Sequence, residues 1–234
     1  MFNLIKLEWK KNHVAHYLFG VLICALSIFA AVGLMAVASN SSIEPMFTEY
    51  AEFMTLTNIL IRIVYIIFSA VILSRLVIEE YRNNTIQIMF TYPLQRKKLM
   101  RAKLAIVFGF CLISILITTL VINIMVYSLN PVLGFFEQPV RLADMMDAAP
   151  SVLINACMVA GISLISLFFG MRKKSTAAAI TSAVIVGFLI NVTVSDGGSP
   201  VSLFQFIGVP ISLCILGLAI GLLSYHRIDK KDLS

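Results

Sequence analysis

The sequence predicts an all-α, polytopic membrane protein with six membrane-spanning helices. Three observations carry that reading. Of 234 residues, 59% are apolar and 13% charged, where a soluble domain holds roughly 25% charged residues. Apolar runs near the length of about 20 residues that crosses a hydrocarbon core recur six times. Lys and Arg gather in alternate connections between those runs. The mean hydropathy is +0.94, and the short connections leave no room for a separate soluble domain. Residues 1–234 are therefore expected to form a single transmembrane domain.

The first run, Tyr17–Ala38, follows Lys6, Lys10 and Lys11 and ends in "AVAS" at Ala36–Ser39, which resembles a signal-peptidase site. Signal-peptide apolar cores are about 7–15 residues long, so this longer run is expected to stay as the first helix. The second run is Leu56–Ile78 and the third Leu104–Leu129. Between the third and fourth, Pro131–Pro150 mixes Phe135, Phe136, Leu142, Met145 and Met146 with polar residues, the composition of a segment lying along a membrane surface. The fourth run is Val152–Gly170 and the fifth Ala177–Val194. The last, Val201–Tyr225, contains "GVP" at Gly208–Pro210, and proline disrupts the interior of a helix. Either residues 199–209 form a re-entrant segment and the sixth helix starts near Pro210, or one kinked helix runs through.

Orientation follows from the cations. Fifteen Lys and Arg lie at the N-terminus, after the second and fourth runs and in the tail, whereas the other connections hold one, Arg141. Glu44, Glu49, Glu52, Glu137, Asp144, Asp147 and Asp196 lie on that second side. Six spans with both termini in the cytoplasm account for the alternation. The net charge of +6 is spread over loops and forms no patch for nucleic acid. Cys24, Cys111, Cys157 and Cys214 sit inside apolar runs without metal or disulfide spacing, as small buried apolar groups do.

The stretch Glu79–Lys103, "EEYRNNTIQIMFTYPLQRKKLMRAK", interrupts the apolar sequence with two Glu, six Lys or Arg and a proline. Before Pro93, Asn and Thr suit a helix cap, and Ile86, Met89 and Phe90 fall on one helical face. After Pro93 the stretch is basic, with Leu94, Leu99 and Met100 interspersed. One reading is a docking element for a cytosolic protein. The other is a loop resting on anionic headgroups, where each cation contributes about 1 kcal/mol. Headgroup contact explains the cations, but not the cap, the apolar face or the Tyr92-Pro93 break.

This stretch resembles the loop after the second helix of ABC-2-type permeases, the membrane subunits of one class of ABC exporter. The positions that carry the likeness are Glu80, Asn84-Thr85, Ile88 with Met89, Pro93, Gln95-Arg96 and Lys103. Asn84 replaces the usual Gly and Gln95 the common Ser; Asn also tolerates left-handed backbone angles. "NLIKLEWKKN" near the N-terminus is similar to the interfacial helix that opens such permeases. The resemblance implies a type V exporter-like fold with residues 79–103 as a cytoplasmic coupling loop. Glu79, Glu80, Arg82, Thr85, Ile86, Met89, Phe90, Tyr92, Pro93, Arg96 and Lys97 would then meet a separate cytosolic ATPase subunit, which binds the ATP. It also implies a second permease chain, identical or homologous, in a bacterial plasma membrane. The favoured cargo is a hydrophobic or amphipathic peptide or antibiotic, as in small permeases for antimicrobial-peptide export or immunity. No glycine in the chain precedes a Lys, so it holds no Walker-type phosphate loop and is expected to be neither an ATPase nor a cofactor-binding enzyme.

Within the spans, Arg62 either faces a translocation path or extends towards Glu49, Glu52 or lipid headgroups; a central Arg costs about 2.5–3.5 kcal/mol on insertion scales. Asn123, Asn155 and Asn191 complete the candidate path, with interhelical hydrogen bonding as their alternative role. Two other function classes compete. Glu79-Glu80 is similar to the paired Glu of CAAX-protease-like enzymes, but their Arg would fall at Asn84, and His13, His16 and His226 all lie at membrane edges. An ATPase-independent immunity protein or channel remains open on sequence alone.

Overall fold

The computed structural model describes residues 14–40, 47, 50–78, 96–133, 142–173, 175–194, 201–202 and 208–227. Four helical stretches among them are long and apolar enough to cross a membrane: Tyr17–Ser39, Tyr50–Ile78, Met100–Asn130 and Ala148–Lys173. Two shorter apolar stretches follow, Thr176–Ile190 and Gly208–Gly221.

Helix α1 runs Val14–Asn40. It is apolar on every face, so hydrophobicity alone does not aim it. Val21, Ala25, Ile28, Val32 and Ala36, spaced for one helical stripe, are buried, while Phe19, Leu22, Ile23, Leu26 and Leu34 are exposed as a lipid-facing surface requires. The helix continues through the "AVAS" stretch, where Ala36 is fully buried.

Helix α2, Tyr50–Leu73, is the hub of the bundle, and it ends in a π-helical turn, Ser74–Ile78. It packs on α1 and on all the long helices that follow except the last. Its buried side chains include Phe53, Ile61, Tyr65, Ile66, Ile72 and Leu73. The Tyr65 hydroxyl bonds the Thr118 hydroxyl and donates to the Val21 carbonyl at 3.4 Å, so one phenol ties three helices at mid-depth.

Helix α3, Arg96–Leu133, has 38 residues and so spans about 57 Å, well beyond a hydrocarbon core of about 30 Å. It starts eight residues before the expected Leu104, because Lys and Arg propagate a helix about as well as Leu does. Helix α4 spans Leu142–Ser163 with Pro150 inside it. The expected surface segment 131–150 is thus largely helical at both ends, and residues 134–141 lie outside the described residues. Pro150 removes one backbone donor, and the Ser151 hydroxyl adds a bond to the Ala148 carbonyl at 2.7 Å in the same turn. At Leu164 the helix tightens: Leu164 N–H donates to the Gly161 carbonyl at 3.2 Å and Leu167 N–H to that of Leu164 at 3.1 Å. Helix α5, Ile165–Lys173, continues the fourth expected span beyond this break.

Helix α6 covers Thr176–Ile190 and ends earlier than the expected Val194. Thr193–Val194 (β1) pairs antiparallel with Val201–Ser202 (β2), in the register Thr193 opposite Ser202 and Val194 opposite Val201. The β-branched run Val192-Thr193-Val194 and the turn-forming sequence "SDGGSP" before Val201 favour this ladder over helix. The final helix, α7, is Gly208–Arg227. A single kinked helix from Val201 is therefore replaced by a strand and a fresh helix start. Pro210 falls in the first turn of α7, where its missing N–H has no intrahelical partner to lose. Residues 203–207, the heart of the re-entrant reading, lie outside the described residues.

Helices α4 and α7 cross in backbone contact. A methyl group on Gly217 would overlap the Gly161 carbonyl, and one on Gly161 would overlap the Cys214 sulfur. Gly217→Ala is expected to lower stability by about 1–3 kcal/mol through overpacking. Gly221→Ala, whose added methyl would meet Leu104 and Leu164 at 3.7 and 3.8 Å, is expected to be neutral or better. Thermal unfolding of the two variants in detergent checks the contrast.

Candidate functional site

Helices α2, α3 and α4 come together in the half of the bundle that holds the N-terminus of α2. Asn58 and Arg62 lie one turn apart on α2, and Arg62 Nε donates to the Asn58 carbonyl at 3.2 Å. The guanidinium therefore points back along α2 towards its N-terminus and lies half-buried against protein. It lines a small, mostly enclosed pocket with Asn58, Ile61, Ile115, Thr119, Val152, Asn155 and Val159. The free space inside is about 10 Å³, enough for one water.

Thr119 and Val152 also border a larger, open groove of about 390 Å³ between α3 and α4. Leu116, Leu120, Asn123, Ile124, Tyr127 and Ala149 complete it. That volume lies in the range of small-molecule sites, about 300–1,000 Å³. Asn123 is held in place by α2: the Tyr50 hydroxyl donates to its Oδ1 at 2.8 Å. The Thr119 hydroxyl donates to the Ile115 carbonyl at 2.9 Å. Leu120, Ile124 and Tyr127 are half or more exposed, so the groove opens laterally.

The combined cleft has apolar walls, amide and hydroxyl groups at intervals, and one cation at its narrow end. Such a lining can hold and orient a molecule with an apolar body and a few polar groups. Among the described residues no cluster of three His, Cys, Asp or Glu is placed to bind a metal.

Of the four residues proposed for a path, Arg62 and Asn155 share the small pocket and Asn123 lines the adjoining groove. Asn191 lies apart from both. It caps the C-terminus of α6, its Nδ2 donating to the Gly187 carbonyl at 2.8 Å. Asn58, Thr119 and Tyr127 join the cleft without having been singled out, and Tyr50 braces it through Asn123. Their signal was present: Thr119, Asn123 and Tyr127 are spaced four apart, a polar stripe along an otherwise apolar helix, and Asn58 stands four before Arg62. Among the residues proposed for ATPase coupling, Glu79, Glu80, Arg82, Thr85, Ile86, Met89, Phe90, Tyr92 and Pro93 lie outside the described residues. Arg96 and Lys97 open α3.

Comparison with known proteins gives a consistent picture. The family described as "ABC-2 family transporter protein" matches residues 4–191. The uncharacterized protein YcbO of Bacillus subtilis (strain 168) is 34% identical over 230 residues, covering 98% of this chain and 99% of that one. No solved structure matches significantly.

The Tyr50–Asn123 bond is expected to contribute a coupling energy of about 0.6 kcal/mol, the average for interhelical hydrogen bonds in membranes. A double-mutant cycle of Tyr50→Phe and Asn123→Ala, read by unfolding in detergent, measures it.

Proposed function

The chain belongs to the ABC-2 transporter family, and from that premise we propose that it is the membrane permease of an exporter driven by ATP hydrolysis on a separate cytosolic subunit. The family match over residues 4–191 is the observation that carries this reading. The chain lacks a phosphate-binding loop of its own, so the energy must arrive through a partner. The charged stretch 79–103 is the natural point of arrival. It joins the hub helix α2 to α3, which forms one wall of the groove.

The cation distribution supports a cytosolic position for that end of the bundle. ATP-driven closure of two ATPase subunits would then pull on the loop, and the cleft in the opposite half would change shape. The favoured cargo is a hydrophobic or amphipathic molecule, a peptide or antibiotic foremost. The groove supports this choice, with its Leu and Ile walls and the Asn123 amide and Tyr127 hydroxyl between them. A second permease chain, identical or homologous, would complete the pathway.

Purified from native membranes in detergent, the chain should carry an ABC ATPase. Phe90→Glu and Pro93→Gly should each reduce that association at least tenfold while the permease still elutes as a single species. Retention of full ATPase binding by both variants would refute the coupling role. In intact cells an impermeant maleimide should label a cysteine at Tyr127 and spare one at Gln87 until the membrane is opened. The reverse pattern would invert the topology.

A further inference from the structure

The end of α2 is built unlike any other helix end among the described residues. Its last turn, Ser74–Ile78, widens to the π form, which is rare and frequent at functional positions. The final carbonyls of any helix lack amide partners within it, and the dipole leaves partial negative charge there. Here one of those carbonyls is met by a lysine. Lys103 Nζ donates to the Leu76 carbonyl at 2.9 Å. Lys103 is only 3% exposed, although it lies in the first two turns of α3 beside the exposed Arg101. A lysine there that served only to meet water or headgroups would extend outward. Burying an ammonium group costs several kcal/mol unless hydrogen bonds compensate, so its position is specified.

The other side of the same turn is gripped as well. Leu76, Val77 and Ile78 are almost fully buried. Ile78 fills a notch that only a glycine leaves open: a methyl on Gly170 of α5 would overlap Ile78 Cδ1 and crowd Ala179 Cβ of α6 at 2.8 Å. Gly170 also closes the α5–α6 connection, its carbonyl accepting from Ser175 N–H at 3.3 Å. The last residues of α2 thus touch α3 through an ammonium–carbonyl bond and the α5–α6 hairpin through a side chain set into a notch.

We propose that Lys103 is a positioning residue that fastens the end of α2 to the start of α3, so that a displacement arriving there passes as one rigid unit through Ile78 into the α5–α6 hairpin. Leu76 and Lys103 belong to the two helices that flank residues 79–95, so those helices are tied to each other. Without the tie, α2 and α3 would part under load, and the motion would dissipate at the membrane edge. This inference rests on the reading of segment 79–95 as the ATPase-contacting element.

The test uses the permease with its ATPase in lipid nanodiscs, with Cys24, Cys111, Cys157 and Cys214 replaced. Spin labels at Leu34 of α1 and Phe188 of α6, both exposed, report the distance between a helix outside the linkage and one that it drives. Trapping with ATP and vanadate should shift that distance by about 2 Å or more in the parent protein. Lys103→Met should abolish the shift while retaining the ATPase, and Lys103→Arg should restore it. Ile78→Ala, which empties the notch and leaves Lys103 in place, should abolish it too. A parent-like shift in either Lys103→Met or Ile78→Ala overturns the linkage, as does a parent that holds its ATPase and shows no shift. Full ATPase binding by Phe90→Glu overturns the coupling role of the segment instead, whereas the distance measurement decides the role of Lys103.

Discussion

In a hydrocarbon environment each polar group must be satisfied by the protein itself, and most of this structure follows from that constraint. Helices meet it for the backbone, and serine and threonine hydroxyls meet it locally. Thr57, Thr119 and Ser163 donate to carbonyls three or four residues back, all at 2.8–2.9 Å. Side chains that cannot turn back on their own helix must reach a neighbour, and those are the ones that organise the bundle. Tyr65 links α2 to Thr118 and to the Val21 carbonyl, Tyr50 links it to Asn123, and the Leu76 carbonyl takes the Lys103 ammonium. All three run between α2 and its neighbours. The hub is central because it exports polar contacts, as well as because it buries apolar ones.

Apolar packing alone would leave these helices poorly registered. Lipid tails are as apolar as leucine, so burial does not distinguish a helix neighbour from lipid. Register therefore comes from shape, through the glycines at which helices touch, and from the few interhelical hydrogen bonds. Gly161 against Gly217 sets α4 on α7, and Gly170 around Ile78 sets α5 on the end of α2. The break at Leu164 lies between these two contacts.

The parts of the fold that depend on composition were legible from the sequence. The long apolar runs announced their helices, and Arg62 stood out because a cation there is costly. The parts that depend on a distant residue were not. Lys103 is one of the positions that carry the family likeness, but by chemistry it reads as one of six cations in a basic loop; the bond to the Leu76 carbonyl, which makes it a buried tie, is not written in the sequence. Asn191 reads like Asn155, yet one caps a helix end and the other lines a pocket, because the end of α6 is set by the ladder that follows. The ladder itself was hidden inside an apolar stretch, where β-branched residues suit a membrane helix as well as a strand. The stripe Thr119, Asn123 and Tyr127 was legible by spacing, but asparagine and tyrosine at membrane depth also serve as ordinary interhelical contacts. Only their placement beside the Arg62 pocket sets them apart.

The cleft and the Lys103 tie lie along one rod. From Tyr50 to Ile78 the hub helix and its terminal turn contain 29 residues, or about 43 Å at the rise of an α-helix. The first half carries Asn58 and Arg62 to the cleft, Arg62 within a turn of the centre, and the far end carries Leu76 and Ile78 into the linkage. Tyr65 anchors the rod near its middle to α1 and α3. A stiff element pinned at mid-length converts sideways force at one end into an opposite tilt at the other. The cleft is lined by that same element and by α3 and α4, so a small tilt would change the separation of Asn58 from Asn155 more than that of Arg62, which lies within a turn of the pin. The pin must hold for this to work, and the Tyr65 contacts are fully buried, where hydrogen bonds are least exposed to exchange with water. A single helix, tied at one end and pinned at its centre, thus joins the two regions without a long chain of small rearrangements.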